Sequence, residues 1–154
     1  MSIDAGSAAP DFTLPTDGAG SLTLSELKGR KVVLYFYPKD DTSGCTAEAK
    51  AFQEGLAELT AAGAVVIGVS KDSPAKHDKF KAKYDLTFAL AADEEGQVCE
   101  AYGVWVEKSM YGRKYFGIER ATFLIDAEGQ VARVWRKVKV TGHAAEILAA
   151  VRAL

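Results

Sequence analysis

The residue of this sequence best suited to chemistry is Cys45, one of two cysteines in a chain of 154 residues. It ends the stretch PKDDTSGC (38–45), which follows the apolar run VVLYFY (32–37) and precedes a helical pattern. A cysteine thiolate is a strong nucleophile, and the positive end of a helix favours its formation. The junction between a buried strand and a helix therefore predicts a reactive thiol.

The helix after this junction is predicted to hold Cys45 in its first turn, with Thr42 or Ser43 as the N-cap. Lowering the pKa of an ordinary thiol from about 8.5 to about 6 needs roughly 3.4 kcal/mol. A helix end supplies only ~0.3–1 kcal/mol, or ~2 when partly buried. A cation must therefore lie near the sulfur as well.

One apolar face of the helix is predicted to pack on a sheet. This face consists of Cys45, Ala49, Phe52, Leu56 and Leu59.

The surrounding elements are predicted to form an α/β fold, because a strand–helix–strand unit favours a parallel, right-handed crossover and a later strand pair adds antiparallel strands. We expect a central mixed sheet with helices on both faces, in one domain spanning 1–154. In such sheets the site lies beyond the carboxyl ends of the strands, where Cys45 falls. The predicted strands are 9–14, 22–24, 31–37, 64–70, 87–91, 120–126 and 131–140, the helices are 43–62, 74–84, 94–102 and 142–153, and 103–117 is a loop or hairpin.

The residues Pro38, Thr42 and Cys45 form the pattern P-x-x-x-T-x-x-C, which resembles the peroxidatic signature of the peroxiredoxins. The longer stretch FYPKDDTSGCTAEA (36–49) is similar to the Q-type branch, also called the bacterioferritin comigratory proteins. The resemblance continues through APDFTLP (9–15), AADEEGQVCEAYGVW (91–105) and GIERATFLIDAEG (117–129). It implies a thioredoxin-like three-layer fold and a thiol-dependent peroxidase that reduces hydrogen peroxide and organic hydroperoxides.

The resemblance also implies roles for individual residues. The family's active-site arginine falls at Arg120, which supplies the missing cation. Thr42, the backbone N–H of Cys45 and Arg120 would hold the two peroxide oxygens, while Pro38 would shield the sulfur. Glu48 lies three residues after Cys45. We expect it to pair with Arg120 and orient it.

The sequence departs from the branch at the positions that often carry a resolving cysteine. These are Lys50, five residues after Cys45, and the neighbourhood of Lys81. Only Cys99 remains, and the spacing of its neighbours Val98 and Tyr102 favours a small buried residue over a resolving one. We therefore expect a one-cysteine cycle completed by thioredoxin, glutaredoxin or a low-molecular-weight thiol. The alternatives are a two-cysteine peroxidase in which Cys99 resolves, and a peroxide sensor or holdase with little turnover.

The composition and the N-terminal residues indicate which partners and which compartment to expect. A net charge of -2 gives no reason to expect a nucleic acid or membrane partner. The start of the chain, MSIDAGSAAPDF, lacks the basic and apolar regions of a secretory signal, so we expect a cytoplasmic protein. The two cysteines form neither a disulfide framework nor a zinc site. No cofactor or metal is implied, and a monomer is expected.

Other polar residues are predicted to have ordinary surface roles. His77 and His143 have no partners at metal-ligand spacing and are expected at the surface. Asp40 and Asp41 are expected to be solvated rather than to form an acid/base pair. The basic stretch RVWRKVKV (133–140) is predicted to protect an edge strand from aggregation.

Overall fold

A computed structural model of the chain describes residues 3–154. Met1 and Ser2 lie outside the described residues, so the start of the N-terminal stretch MSIDAGSAAPDF and of the expected domain 1–154 is not part of this description.

A five-stranded mixed sheet forms the centre of the structure, with its strands in the spatial order 89–92, 64–70, 31–36, 121–125 and 131–135. Its middle strand β3 (Lys31–Phe36) is buried along all but its first residue, which explains its central place. It pairs in parallel with β4 (Ala64–Ser70) and antiparallel with β8 (Ala121–Ile125). The edges are β5 (Ala89–Ala92) and β9 (Val131–Trp135). The predicted mixed sheet is thus formed, and its basic strand does lie at an edge.

Within residues 3–154 five α-helices flank the sheet, and they begin and end close to the predicted bounds except in one place. The predicted helix 43–62 is divided at Gly55, which caps the first part through its N–H bond to the Ala51 carbonyl. Glycine is a poor helix former, and here it separates two short helices. The helices are α1 (Ser43–Glu54), α2 (Leu56–Ala61), α3 (Pro74–Tyr84), α4 (Gln97–Ala101) and α5 (His143–Ala153).

Two small antiparallel pairs lie outside the central sheet. Near the N-terminus β1 (Thr13–Pro15) pairs with β2 (Ser21–Thr23), so the predicted strands there are shorter and shifted. The region 103–117 is a hairpin of β6 (Trp105–Met110) and β7 (Arg113–Ile118). Its two-residue turn has positive φ at both positions, 52° at Tyr111 and 77° at Gly112, as hairpin turns of this length prefer.

The core consists of two layers on opposite faces of the sheet, because alternate residues of β3 point to opposite sides. We call them the helical layer and the N-terminal layer. The helical layer contains Val33, Tyr35 and Tyr37 with residues of α1, α2, α5 and α3. The N-terminal layer contains Val32, Leu34 and Phe36 with α4 and the start of the chain. Cys45 belongs to the helical layer and Cys99 to the N-terminal layer.

The prediction that both histidines lie at the surface is wrong. His77 has a relative exposure of 0% and His143 of 6%. His77 lies on the face of α3 that also carries buried Phe80. His143 begins α5 and shares a face with buried Ile147 and Val151, where its Nε2 hydrogen-bonds Thr122 Oγ1 at 2.8 Å. Each imidazole is therefore part of the core, and burial lowers the pKa of His143.

Candidate active site

The thiol of Cys45 lies where β3 ends and α1 begins, as predicted. It is in the first turn of α1, its side chain is 1% exposed, and it makes no disulfide. The first N–H groups of a helix have no partner within the helix. Cys45 is therefore placed at the end of the helix that carries these free donors and the positive end of the helix dipole.

Thr42 and Pro38 lie on the exposed loop that leads into α1. Thr42 occupies the N-cap position, but its side chain does not cap the helix. Its hydroxyl instead donates to the Lys39 carbonyl at 2.9 Å. Because a carbonyl can only accept, the hydroxyl proton of Thr42 is committed to that bond, and its lone pairs remain free to accept another.

The cation that the sequence required is Arg120, which lies between β7 and β8. Its Nη2 is 3.4 Å from Cys45 Sγ, and its Nη1 donates to Glu48 Oε1 at 2.7 Å. Burial opposes the charge of the guanidinium, but Glu48 and Cys45 together raise the pKa of Arg120 above its ordinary value. One planar side chain thus joins the thiol and the carboxylate in a fixed fork.

Gly44 leaves room for this approach. A Cβ at position 44 would lie 3.1 Å from Arg120 Nη2, a distance tighter than most real contacts of a Cβ. A side chain at position 44 would therefore require the guanidinium to shift by a few tenths of an ångström.

Glu48 is the most strongly perturbed carboxyl of the site. It is 1% exposed, and its Oε2 has no hydrogen-bond partner among the residues that the structure describes. Burial raises the pKa of Glu48 from 4.5 to about 7, although Arg120 acts in the opposite direction. The carboxylate is therefore costly to hold ionised, and it lies where it can orient the arginine.

We expect Glu48→Gln to stabilise the protein above neutral pH. The pKa of Glu48 is near 4.5 in the unfolded chain and about 7 in the folded protein, so the protonated carboxyl favours the folded state. This contribution to stability is fully present below about pH 4.5 and is lost as the pH rises through 7. The shift corresponds to about 3 kcal/mol at high pH. Glutamine has no proton to lose, so the variant should be more stable than the parent by up to that amount above about pH 8. Chemical denaturation at several pH values measures the difference; an equal advantage at about pH 4 and 8 would contradict it.

The loop between β3 and α1 contains a buried network that the sequence analysis missed. Asp40 is not a solvated residue: its Oδ2 is 2.6 Å from His77 Nδ1, and its Oδ1 accepts from the hydroxyl of Tyr37. Asp41 is closer to the expectation, because its side chain is half-exposed and bonds Lys83 and Tyr84 of α3. The helical spacing of His77 and Phe80 was the available signal that the imidazole faces inward.

Cys99 is separate from this site. It is fully buried in α4, and its N–H donates to Asp93 Oδ2 at 2.8 Å. Burial, together with the Asp93 carboxylate, raises the pKa of Cys99 far above that of an ordinary thiol. In this structure the Cys99 thiol packs within the N-terminal layer, in surroundings that favour its neutral form.

Within residues 3–154, no cluster of histidine, cysteine or acidic side chains has the arrangement that could hold a metal ion. None of the helices in that part of the chain is long and apolar enough to cross a membrane.

Comparison with known proteins agrees with this geometry. Residues 5–134 match the model of the AhpC/TSA family. A Bacillus subtilis protein, Peroxiredoxin Bcp, is 50% identical over 148 residues, which cover 96% of this chain and 94% of the relative.

Two solved structures have the same architecture. One is the Xanthomonas campestris bacterioferritin comigratory protein, studied for its alkyl peroxide reduction activity, with a TM-score of 0.91 and 46% identity over 97% of this chain and 98% of the other. The second is a mutant of Xylella fastidiosa PrxQ, with a TM-score of 0.94 and 39% identity over 99% and 98% of the two chains. The expected thioredoxin-like fold is thereby confirmed.

Proposed function

Since the chain belongs to the AhpC/TSA family and is a thiol-dependent peroxidase of its Bcp, or Q-type, peroxiredoxin branch, we propose that Cys45 is its peroxidatic residue and works in a one-cysteine cycle. The observation that carries the proposal is the contact of Arg120 with both the Cys45 sulfur and Glu48 at a helix N-terminus. The Xanthomonas relative was studied for alkyl peroxide reduction. We therefore include organic hydroperoxides with hydrogen peroxide among the substrates.

The first half of the cycle oxidises Cys45. Its thiolate attacks one oxygen of the peroxide, the S–O bond forms, and the O–O bond breaks. The second oxygen takes up a proton and leaves as water or an alcohol. In the second half, an external thiol attacks the sulfenic acid and releases water, and a second thiol then cleaves the mixed disulfide and returns Cys45 to its reduced form.

The surrounding residues would stabilise the charge that moves along the S–O–O line in the transition state. Arg120 would donate to the oxygens as negative charge develops there. Thr42 would accept the O–H of the bound peroxide, because its own hydroxyl proton is committed to Lys39. Glu48 would fix the plane of the guanidinium. Pro38 would cover the approach to the sulfur at the start of the exposed loop.

The one-cysteine cycle is supported by the position of Cys99. A disulfide needs the two Cα atoms within about 7 Å and the Cβ atoms facing each other. Cys45 and Cys99 belong to core layers on opposite faces of the central sheet. A bond between them would have to cross the sheet. The two-cysteine alternative with Cys99 therefore requires extensive unfolding.

The cycle is tested by adding a partner at the position where related chains often carry one. Lys50 is exposed in α1 and lies five residues from Cys45, a rise of about 7.5 Å along an intact helix. We expect Lys50→Cys to form an internal disulfide after one equivalent of peroxide, by unwinding the start of α1. The parent should form none, and mass spectrometry of peptides distinguishes the two results.

Cys99→Ser is the matched control for the same experiment. Its turnover with hydrogen peroxide and excess dithiothreitol should stay within about twofold of the parent rate, because a packing thiol does not resolve the sulfenic acid. Loss of turnover in this variant would favour the two-cysteine alternative. A parent that oxidises once and then stops in excess thiol would favour a sensor.

The proposal also includes the assembly state, the compartment and the reductant. We propose that the protein works as a monomer of one domain, 1–154, because Cys45, Arg120 and Glu48 meet within a single chain. Two free cysteines that form no bridge suit a reducing compartment such as the cytoplasm. Thioredoxin, glutaredoxin and a low-molecular-weight thiol are the reductants to compare.

A further inference from the structure

We infer that the buried Asp40–His77 pair positions the loop 38–42, which contains Pro38 and Thr42 of the proposed site. Through this loop the pair sets the rate of Cys45 oxidation without changing the fraction of thiolate. The inference rests on the peroxidase function proposed for Cys45. Asp40 and His77 do not contact the thiol and would act through the loop.

The pair joins three separate parts of the fold. Asp40 lies in the middle of the loop, and His77 lies on α3 with a relative exposure of 0%. His77 Nδ1 is 2.6 Å from Asp40 Oδ2, and His77 Nε2 is 3.0 Å from the carbonyl oxygen of Ala91 on β5. The imidazole therefore connects the loop to the edge strand of the sheet.

The loop side of this connection is fixed at two further points. Asp40 Oδ1 accepts from the hydroxyl of Tyr37, which follows β3. The backbone N–H of Asp40 donates to Asp72 Oδ2 at 2.8 Å, and the same oxygen accepts from Ser70 Oγ at the end of β4. Asp40 is thus held by groups from three strand ends, two residues before Thr42.

Counting donors and acceptors shows what the connection needs. The Ala91 carbonyl can only accept, so His77 Nε2 carries a proton. One further proton lies between His77 Nδ1 and Asp40 Oδ2, on either atom. An asparagine at position 40 could supply the same bonds, with its amide donating to Nδ1 and its oxygen accepting from Tyr37. The role of the pair is therefore to fix the geometry of the loop, and this role does not require a net charge.

A buried ion pair is weak evidence for a stabilising role, since apolar residues of similar size often serve the fold equally well. Position matters more to catalysis, because a displacement of about 1 Å in a reacting group can cost a hundredfold in rate. The Asp40–His77 pair lies at the carboxyl ends of three strands, two residues from Thr42, which would bind the peroxide. It is therefore better explained by catalysis than by stability.

The test compares the rate constant of Cys45 oxidation in four variants, by stopped-flow mixing with hydrogen peroxide. Asp40→Ala and His77→Leu should each slow oxidation about tenfold or more. Asp40→Asn should stay within about twofold of the parent. The triple variant Tyr37→Phe/Asp40→Ala/His77→Leu removes the hydroxyl, carboxylate and imidazole together. It should recover the melting temperature of the parent but not its rate.

A second readout separates positioning from electrostatics. The ultraviolet titration of the Cys45 thiolate should superimpose on that of the parent in all four variants, because the helix end and Arg120 remain. The matched control is Lys83→Gln, which removes the half-exposed ion pair with Asp41 from the α3 side and should alter the rate by less than about twofold.

Three results would overturn the inference. One is a triple variant that reacts as fast as the parent, which would leave the pair only a structural role. Another is an Asp40→Asn variant as slow as Asp40→Ala, and the third is a thiolate titration that moves with the rate. Mass spectrometry identifies the oxidised residue in each variant. Oxidation at a site other than Cys45 would refute the proposed function itself and not merely the positioning role.

Discussion

Replacing Cys45 with serine is expected to abolish peroxide reduction, by at least about a thousandfold, while the fold and its stability are retained. A serine hydroxyl is similar in shape to the thiol but is not ionised near neutral pH, and Arg120, the side chain that contacts position 45, cannot accept its proton. Arg120 would stay in contact with Glu48, so the charges around the site would change little. Consumption of hydrogen peroxide in excess dithiothreitol measures the loss.

The control for this variant is Cys99→Ser, which removes the other thiol from the opposite face of the sheet. Circular dichroism and the melting temperature show whether each variant is folded. Peroxide consumption by folded Cys45→Ser at a rate near that of the parent would exclude Cys45 as the reacting residue.

The second large effect is expected from Arg120→Met, which should slow oxidation of Cys45 by about a hundredfold to a thousandfold. The helix end alone supplies too little free energy to hold the thiolate. The titration of the thiolate should therefore move to higher pH, and the transition state should lose its main donor. Stopped-flow mixing gives the rate, and ultraviolet absorbance against pH gives the thiolate fraction.

Stability and chemistry can be separated at this position. Arg120→Met leaves the Glu48 carboxylate buried without a partner, a loss of about 3–5 kcal/mol in comparable buried pairs. The double variant Arg120→Met/Glu48→Gln should recover most of the stability but none of the rate. Glu48→Ala, which only frees the arginine, should show a smaller effect on both rate and titration. Unchanged rate and titration in folded Arg120→Met would remove Arg120 from the site.

The sequence predicted the central architecture well because the strongest signals were strands buried on both faces. β3 and β4 are continuous apolar runs, and such runs are hard to place anywhere except at the middle of a sheet. The weaker signals failed at element ends. The strand predicted over 131–140 ends at Trp135, because Lys137 adopts a positive φ of 49° that no pattern of side chains reveals.

Residues of the site were predicted where a short motif fixed them and missed where the fold brought distant residues together. Cys45 and Thr42 are neighbours in the chain, and Arg120 was placed by the resemblance. Asp40 and His77 are 37 residues apart, and only tertiary packing shows that they meet. The helical face shared by His77 and Phe80 did indicate burial. The sequence did not indicate that Asp40 is the partner of His77, because an aspartate in a loop is usually solvated.

The placement of Cys99 was likewise beyond the reach of sequence patterns. The spacing of Val98 and Tyr102 indicated that α4 packs on the core, and both are buried. It could not indicate which face of the sheet α4 covers, since either face offers apolar residues of β3. That single topological fact separates the two cysteines and favours a one-cysteine cycle over the two-cysteine alternative.

The most direct measurement is the mass of the parent protein and its peptides after one equivalent of hydrogen peroxide, with a trap for sulfenic acid present. We expect one added oxygen, captured by the trap on Cys45, with Cys99 still a free thiol. We also expect further oxidation of Cys45 when peroxide is in excess and no thiol is supplied. A protein that instead loses two hydrogens and yields a Cys45–Cys99 linked peptide would contradict the one-cysteine cycle.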